Sequence, residues 1–144
     1  MARHPQLDLD LQLCFPLYAT ARAVTRAYAP LLEPHGLTYP QYLTLLALWS
    51  GPATMTVGEL GARLRLDSGT LTPVLKRLEA AGHVRRRRDA EDERRVRISL
   101  TPAGDALQDE LAHVPGEVAG SLGLSLEEGL QLRALLDRVL DHLD

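Results

Sequence analysis

Hydrophobic residues along this chain recur mainly at intervals of three and four positions, the spacing of helices with one buried side. A first helix is predicted to end near Leu32, where Glu-Pro-His-Gly follows. Pro16 leaves its start open: a helix from Asp8 would be kinked there, whereas one from about Leu13 would contain the proline in its first turn. A capping box at Ser125 predicts a last helix. Its apolar side consists of Leu132, Leu135, Leu136, Val139 and Leu143.

Two further helix starts are marked by Thr38 and Thr56, each followed three positions later by Gln or Glu. In such a capping box each side chain bonds the backbone N–H of the other residue. The helix after Thr38 is expected to end at Gly51-Pro52, and the helix after Thr56 at the turn over residues 65–67. The first of these two is expected to bury Tyr42, Leu45, Leu46 and Trp49.

A helix over roughly Ser68 to Ala81, stopped by Gly82, comes next. Pro73 suggests a cap as late as Thr70, although Ser68 and Asp67 are also good capping types. The buried stripe of this helix is Leu71, Val74, Leu75 and Leu78.

Two strands of a hairpin are predicted over Val84 to Arg88 and Arg94 to Leu100, joined by a charged tip. Apolar and polar residues alternate in the second strand, so one face is expected to be buried and the other wet. Thr101-Pro102 then begins a helix that is expected to run to about Val114 and stop at Pro115-Gly116.

Two short helices followed by a basic hairpin predict a winged helix-turn-helix over about residues 53–101. The fold class is therefore mainly α with a small β wing. Helical flanks over about 8–33 and 102–144 are expected to pair two such modules as dimerisation helices. With 144 residues the chain is long enough for one domain with a core that needs neither disulfides nor metal.

The charge distribution points to nucleic acid, although the formal net charge is -3. Between Arg63 and Arg97 there are eleven Lys/Arg against six acids, a balance of +5. From Thr101 onward there are two Arg against nine acids, a balance of -7. A basic middle between acidic flanks predicts a local surface that faces phosphates.

No apolar run has the length of a membrane span, and no signal peptide is visible. The single cysteine cannot form an internal disulfide. We therefore expect a cytoplasmic protein without membrane contacts.

The residues expected to contact DNA lie at the start of the second helix and in the hairpin. Short hydroxyl side chains allow the helix to approach base edges in the major groove, a proline can touch a thymine methyl, and a lysine suits phosphate or guanine. An arginine at the hairpin tip can enter an A·T-rich minor groove, and Arg94 fits because Asp92 can fix it there. Arg85 to Arg88 are expected to meet phosphates. The predicted set is Ser68, Thr70, Thr72, Pro73, Lys76, Arg77, Arg86, Asp92 and Arg94.

Four stretches, DSGTLTPVLKRLEAAG, DERRVRISLTPAG, LCFPLYATARAVTRAY and GLTYPQYLTLLALW, resemble the MarR family of bacterial regulators, and more closely its organic hydroperoxide resistance branch. The resemblance extends from about Leu11 to the end of the chain and weakens after Val114. It implies a winged-helix homodimer whose first and last helices interlock. Such a dimer binds a palindromic operator in double-stranded DNA and represses a peroxide-resistance gene.

Cys14 is the candidate signal input, although a lone cysteine on an apolar helical face is usually inert core filler. Tyr18 lies on the same predicted face, one turn later. The resemblance implies that Cys14 is the reactive cysteine and that Tyr18, Tyr28 and Tyr39 are its partner tyrosines. Tyr28 lies fourteen residues on, about 21 Å along a straight helix, so it can meet Cys14 only across an antiparallel pair of protomers.

A thiol that reacts with peroxide must be partly thiolate, yet no Lys, Arg or His lies within four residues of Cys14. Tyrosine hydroxyls, or a helix N-terminus near Leu13, are the remaining sources of stabilisation. Oxidation would give a sulfenic acid, and no second cysteine is present to resolve it. The resemblance implies the one-cysteine type, in which a low-molecular-weight thiol forms a mixed disulfide or further oxidation follows. Apolar neighbours favour an organic hydroperoxide.

Two alternatives stay open at this point. One is a MarR-type repressor released by a small phenolic or lipophilic ligand, with Cys14 only structural. The other is a thiol peroxidase, which the lack of a resolving cysteine and of a nearby base disfavours. No cofactor is predicted, and the scattered histidines lack the spacing of metal ligands, so no metal is predicted either.

Overall fold

A computed structural model describes all residues, Met1–Asp144, as two compact units, Met1–Ala112 and His113–Asp144. The first unit begins with two short 3-10 turns and then contains α1 (Cys14–Leu32), α2 (Tyr39–Trp49), β1 (Met55–Thr56), α3 (Val57–Leu64), α4 (Ser68–Ala80), β2 (Val84–Arg88), β3 (Val96–Leu100) and α5 (Pro102–Leu111). The second unit contains α6 (Val114–Ser121) and α7 (Leu126–Leu143). None of these helices combines the length and the apolar character that a membrane span requires.

The structure shows where α1 begins relative to Pro16. The helix begins at Cys14, so Pro16 is its third residue and lies in the first turn, where the N–H that proline lacks has no partner within a helix. The alternative of a long, kinked helix from Asp8 is therefore wrong: Asp8 instead caps the short turn Leu9–Leu11.

The prediction for α2 is correct at its start and wrong at one core position. Thr38 and Gln41 form the capping box. Tyr42 and Leu45 are buried as predicted, and so is Leu48. Trp49 is half-buried, and Leu46 is 36% exposed. Four helices, α1, α3, α4 and α5, pack against α2 and bury most of its circumference. Leu46 lies on the narrow side of α2 that stays exposed to solvent.

The helix-turn-helix is formed by α3 and α4. Thr56 and Glu59 form the capping box of α3, and Arg65 ends this helix in the left-handed conformation with φ 55°. Asp67 caps α4, because its carboxylate accepts the Thr70 N–H at 2.7 Å. This decides between the possible caps and places Pro73 six residues into the helix. The predicted stripe, Leu71, Val74, Leu75 and Leu78, is buried as expected.

The wing contains one strand more than predicted. The strand order is β1-β3-β2, with all pairs antiparallel, and Met55 of β1 lies opposite Ile98 of β3. Val84 lies opposite Leu100 and Arg88 opposite Val96, so β3 starts at Val96 and not at Arg94. β1 has only two residues and therefore no alternation that a sequence pattern could reveal.

The prediction that Pro115-Gly116 stops a helix is wrong. α5 ends at Leu111, and Pro115 is the second residue of α6, where a proline is compatible with a helix. The capping box of α7, Ser125 with Glu128, is present. No residue of α7 is buried, and its predicted apolar side is exposed or half-exposed in the single chain.

Candidate DNA-binding surface and redox site

Most of the predicted DNA contacts on α4 are accessible. Ser68, Thr70, Pro73, Lys76 and Arg77 are exposed. Thr72 is half-buried. Hydrogen bonds from the Thr70 backbone N–H, and then from the Thr70 side chain, lower the pKa of the Asp67 carboxyl. The first turn of α4 is therefore fixed by its own cap, and Thr70 contributes to that cap with both its backbone N–H and its side chain.

Asp92 and Arg94 interact at the wing tip as the sequence predicts. The Asp92 carboxylate accepts the Arg94 backbone N–H at 3.0 Å and the Arg94 Nε–H at 3.2 Å. The Arg94 side chain is nevertheless 92% exposed. Arg94, Arg95 and the start of β3 line an open cleft together with Ser68 of α4 and the start of α3. The tip arginine and the start of α4 therefore border the same cleft.

The four consecutive arginines of β2 do not all face outward. Arg86 lies opposite Ile98, which is fully buried, and the Arg86 side chain is only 23% exposed. Its backbone N–H donates to Glu79 Oε2 at 3.1 Å, and its guanidinium lies 3.7 Å from Glu79 Oε1. Arg86 is thus paired inside the module, which corrects the expectation of a free phosphate contact. Arg85 and Arg87 alternate with it and are exposed. Arg88 is exposed as well, and its guanidinium donates to the Glu93 carbonyl at 2.8 Å.

Arg97 fixes the outer face of the wing. Its Nε–H donates to Asp89 Oδ2 at 2.9 Å and a terminal N–H donates to Thr54 Oγ1 at 3.1 Å. The Glu91 backbone N–H and then Arg97 lower the pKa of Asp89. Two pairs of charged residues, Asp92 with Arg94 and Asp89 with Arg97, therefore stabilise the hairpin tip by hydrogen bonds.

Cys14 is the first residue of α1 and is exposed. In the single chain, Cys14 therefore does not fill a core. Its neighbours Leu13, Phe15 and Leu17 are also exposed. Tyr18, one turn later, is 63% exposed and lies under the Arg22 guanidinium, 5.6 Å from the ring centroid.

The other three tyrosines form a cluster. The ring centroids of Tyr28 and Tyr39 are 4.5 Å apart, and those of Tyr28 and Tyr42 are 5.6 Å apart. Burial, and then the neighbouring Tyr28, raises the pKa of Tyr39, because both disfavour the charged form of its hydroxyl. Tyr42 was predicted only as a core residue, although its spacing of three from Tyr39 places both on one side of α2.

Within one chain, the structure brings Tyr28 and Tyr39 together but not Cys14. Cys14 and Tyr28 belong to the same uninterrupted helix, fourteen residues apart, which corresponds to about 21 Å.

Comparison with known proteins identifies the family. A model of the MarR family matches residues 35–95. The transcriptional regulator TtmR of Methylorubrum extorquens is 55% identical over 92% of this chain, which spans 66% of the length of TtmR. The organic hydroperoxide resistance transcriptional regulator of Bacillus subtilis is 47% identical, with 95% of this chain and 92% of that protein covered.

Among solved structures, reduced AbfR bound to DNA is similar, with a TM-score of 0.79, 38% identity and 96% of each chain covered. Overoxidised AbfR bound to DNA gives a TM-score of 0.80 at 37% identity, with 96% of this chain and 97% of that chain covered. These similarities confirm the predicted winged helix-turn-helix. The chain belongs to the MarR family of transcriptional regulators.

Proposed function

We propose that this protein is a dimeric repressor that releases its operator when an organic hydroperoxide oxidises Cys14. The observation that carries the proposal is the exposure of the only cysteine, at the N-terminus of α1 among exposed apolar side chains. The similarity to an organic hydroperoxide resistance regulator over nearly the whole chain supports the same signal. As a gene regulator the protein would act in the cytoplasm.

The DNA-binding part of the proposal rests on α4 and the wing. α4, the recognition helix, would enter the major groove with Ser68 and Thr70 at the base edges and Lys76 near phosphate. The wing would place Arg94 in the adjacent minor groove, with Asp92 orienting the guanidinium. Exposed Arg85, Arg87 and Arg88, and not Arg86, are the β2 arginines available to phosphates.

Exposed apolar side chains on two elements support a homodimer. In α7, Leu130, Leu132, Leu135 and Val139 are exposed along one helix. Near the N-terminus, Leu11 and Leu13 are exposed as well. Soluble monomers rarely expose several large apolar side chains along one helix, and a second copy of the chain would bury them. A two-fold dimer would bind a palindromic operator with one module in each half-site.

The chemical step is a two-electron oxidation of sulfur. The Cys14 thiolate attacks the terminal oxygen of the hydroperoxide, a sulfur–oxygen bond forms and the O–O bond breaks. The alkoxide leaves and takes up a proton to become an alcohol. The resulting sulfenic acid then condenses with a low-molecular-weight thiol to give a mixed disulfide and water. Each chain consumes one hydroperoxide molecule and stays oxidised until it is reduced, so the protein acts as a stoichiometric sensor.

The tyrosines would act as hydrogen-bond donors toward this sulfur. Tyr18 is nearest in sequence, one turn along α1. In an antiparallel dimer, the Tyr28–Tyr39 pair of one protomer would lie beside Cys14 of its partner, because its own Cys14 is too far away. A reaction at this junction would change how the protomers pack and therefore the spacing of the two recognition helices, which DNA half-sites fix at about 34–36 Å.

The direct test is operator binding with and without an organic hydroperoxide. A gel shift on the DNA upstream of the protein's own gene should show a complex that cumene hydroperoxide dissociates and that a thiol reductant restores. Release by a phenolic ligand, with no response to hydroperoxide, would favour a ligand-controlled repressor. Sustained peroxide consumption in the presence of a thiol would indicate a peroxidase.

Replacement of the wing-tip arginine tests the minor-groove contact. We expect Arg94→Ala to weaken binding by roughly tenfold to a hundredfold, an effect of about 1–3 kcal/mol, and mostly on operators with A·T-rich flanks. Fluorescence anisotropy with A·T-flanked and G·C-flanked operators measures this difference. Arg3→Ala removes the same charge from an exposed position outside the module and should leave both affinities unchanged. Equal losses on both operators would contradict a minor-groove role.

Replacement of the only lysine tests the phosphate contact of the recognition helix. Lys76→Ala should lower the slope of log Kd against log salt concentration by about two in a dimer, because each phosphate contact contributes about 0.9. Binding isotherms between 50 and 200 mM salt, on the order of the physiological range, provide the slope. An unchanged slope would mean that Lys76 points away from the DNA backbone.

A further inference from the structure

Glu79 lies between the two parts of the module that would contact DNA. It is the penultimate residue of α4, and its carboxylate reaches β2. One oxygen, Oε2, accepts the backbone N–H of Arg86 at 3.1 Å. The other, Oε1, lies 3.7 Å from an Arg86 guanidinium nitrogen. A single carboxylate therefore connects the end of the recognition helix to the middle of a wing strand.

The backbone contact matters because β2 is an edge strand. In the order β1-β3-β2, only β3 pairs with β2, and Arg86 lies opposite Ile98. Since the Arg86 N–H donates to Glu79, it points away from β3 and belongs to the open edge of the sheet. Glu79 supplies the acceptor that a further strand would otherwise provide.

The side-chain contact matters because the Arg86 guanidinium is partly buried. It shares its face of β2 with Val84, which is buried, and its Nε has no hydrogen-bond partner. A partly desolvated cation in this position depends on its pairing with the Glu79 carboxylate. Without Glu79, both the edge N–H and the guanidinium would have to turn toward water, and the wing would lose this link to α4.

We infer that Glu79 is a positioning residue for DNA binding, which fixes the wing relative to the recognition helix so that Arg94 and the start of α4 contact one duplex together. The inference rests on the proposed function, because it assumes that Arg94 binds DNA. If the wing is held rigidly against α4, the Arg94 contact adds to DNA affinity at little entropic cost. If the wing is loose, the same contact adds little. Glu79 itself does not touch DNA in this arrangement.

A double-mutant cycle distinguishes this role from a general effect on stability. Glu79→Ala should weaken operator binding about tenfold, although loss of a negative charge alone would favour binding of a polyanion. Arg94→Ala should cost at least about tenfold in the wild-type background but no more than about twofold when Glu79 is absent. Glu91→Ala, which removes the same charge from the wing tip, should leave binding unchanged or make it tighter.

A second substitution keeps the test informative if Glu79→Ala folds poorly. Glu79→Asp retains the charge but is one methylene too short to satisfy both Arg86 groups, so it should also reduce the effect of Arg94→Ala. Thermal melting followed by circular dichroism confirms that each variant is folded. Full additivity of the two substitutions, in both Glu79 variants, would overturn the inference while leaving the wing contact intact. No effect of Arg94→Ala in the wild-type background would overturn the wing contact itself, and the inference with it.

Discussion

Gly104→Ala is expected to destabilise the protein by about 3 kcal/mol or more, because the added methyl group has no space. A Cβ at this position would lie 2.0 Å from the carbonyl oxygen of His83 and 2.9 Å from its carbonyl carbon. Both are backbone atoms, so no side-chain rotation relieves the overlap. The melting temperature should fall by on the order of 10 °C.

The close approach at Gly104 exists because several elements meet there. The Thr101 N–H donates to the His83 carbonyl at 3.1 Å, and Thr101 Oγ1 accepts the Gly104 N–H at 3.0 Å. Trp49 of α2 donates its Nε1–H to the Gly104 carbonyl at 3.0 Å. Movement of Gly104 away from His83 would therefore break the hydrogen bonds that connect α5, the base of the wing and α2.

Intrinsic fluorescence is a direct measurement of this effect, since Trp49 is the only tryptophan and contacts Gly104. The matched control is Gly120→Ala in α6, where a Cβ meets nothing within 4 Å. Alanine is favoured over glycine inside a helix by about 1 kcal/mol, so the control should melt at the same temperature or higher. If Gly104→Ala melted like the control, the packing of α5 against His83 would differ from that described.

Cys14→Ser is expected to remove the response to hydroperoxide and to retain operator binding. Serine replaces the sulfur with a similar hydroxyl at an exposed helix start, so the fold and the DNA-binding surface should be unaffected. The wild-type protein should lose operator affinity at least about tenfold on oxidation, within the range of 1–3 kcal/mol that is usual for allosteric coupling. The variant should lose none.

Methionine oxidation is the competing explanation for a peroxide response, and Met55→Leu is its control. Met55 lies in β1 within the DNA-binding module and is buried. The Met55→Leu protein should respond to hydroperoxide like the wild type. If the Cys14→Ser protein still released DNA on addition of hydroperoxide, another residue or a ligand site would be the sensor.

The parts of the fold that were predictable from sequence depend on contacts between near neighbours in the chain. The capping boxes at Thr38, Thr56 and Ser125 each join residues three positions apart, and all three are present. The stripe of α4 repeats within a single helix, and its residues are buried as expected. In each case the sequence pattern contains both partners of the interaction.

The parts that were not predictable depend on distant partners. β1 exists because Met55 pairs with Ile98, 43 positions later, and two residues leave no local pattern. The four arginines of β2 are chemically identical, and only the register with β3 turns Arg86 inward toward Glu79. Pro115 is compatible with both the end of one helix and the start of the next, and the position of α6 decides between them.

The candidate site also combines residues that were predictable from local sequence with residues that were not. The wing-tip pair of Asp92 and Arg94 could be selected from sequence by residue type and local spacing. Cys14 could be selected only with the help of the family resemblance, because residue type and pattern alone favour core filler. The association of Tyr42 with Tyr28 depends on the packing of α1 against α2, which the pattern of either helix alone does not contain.

The most direct test of the central claim follows Cys14 oxidation and DNA release in one titration. The wild-type protein, bound to fluorescent operator DNA, receives increasing amounts of an organic hydroperoxide in the presence of a small thiol. Anisotropy reports the bound fraction, and intact mass spectrometry of the same samples reports the fraction of Cys14 that carries an added oxygen or a mixed disulfide. We expect DNA release to rise in parallel with Cys14 modification. Release from protein with unmodified Cys14, or full modification with the DNA still bound, would contradict it.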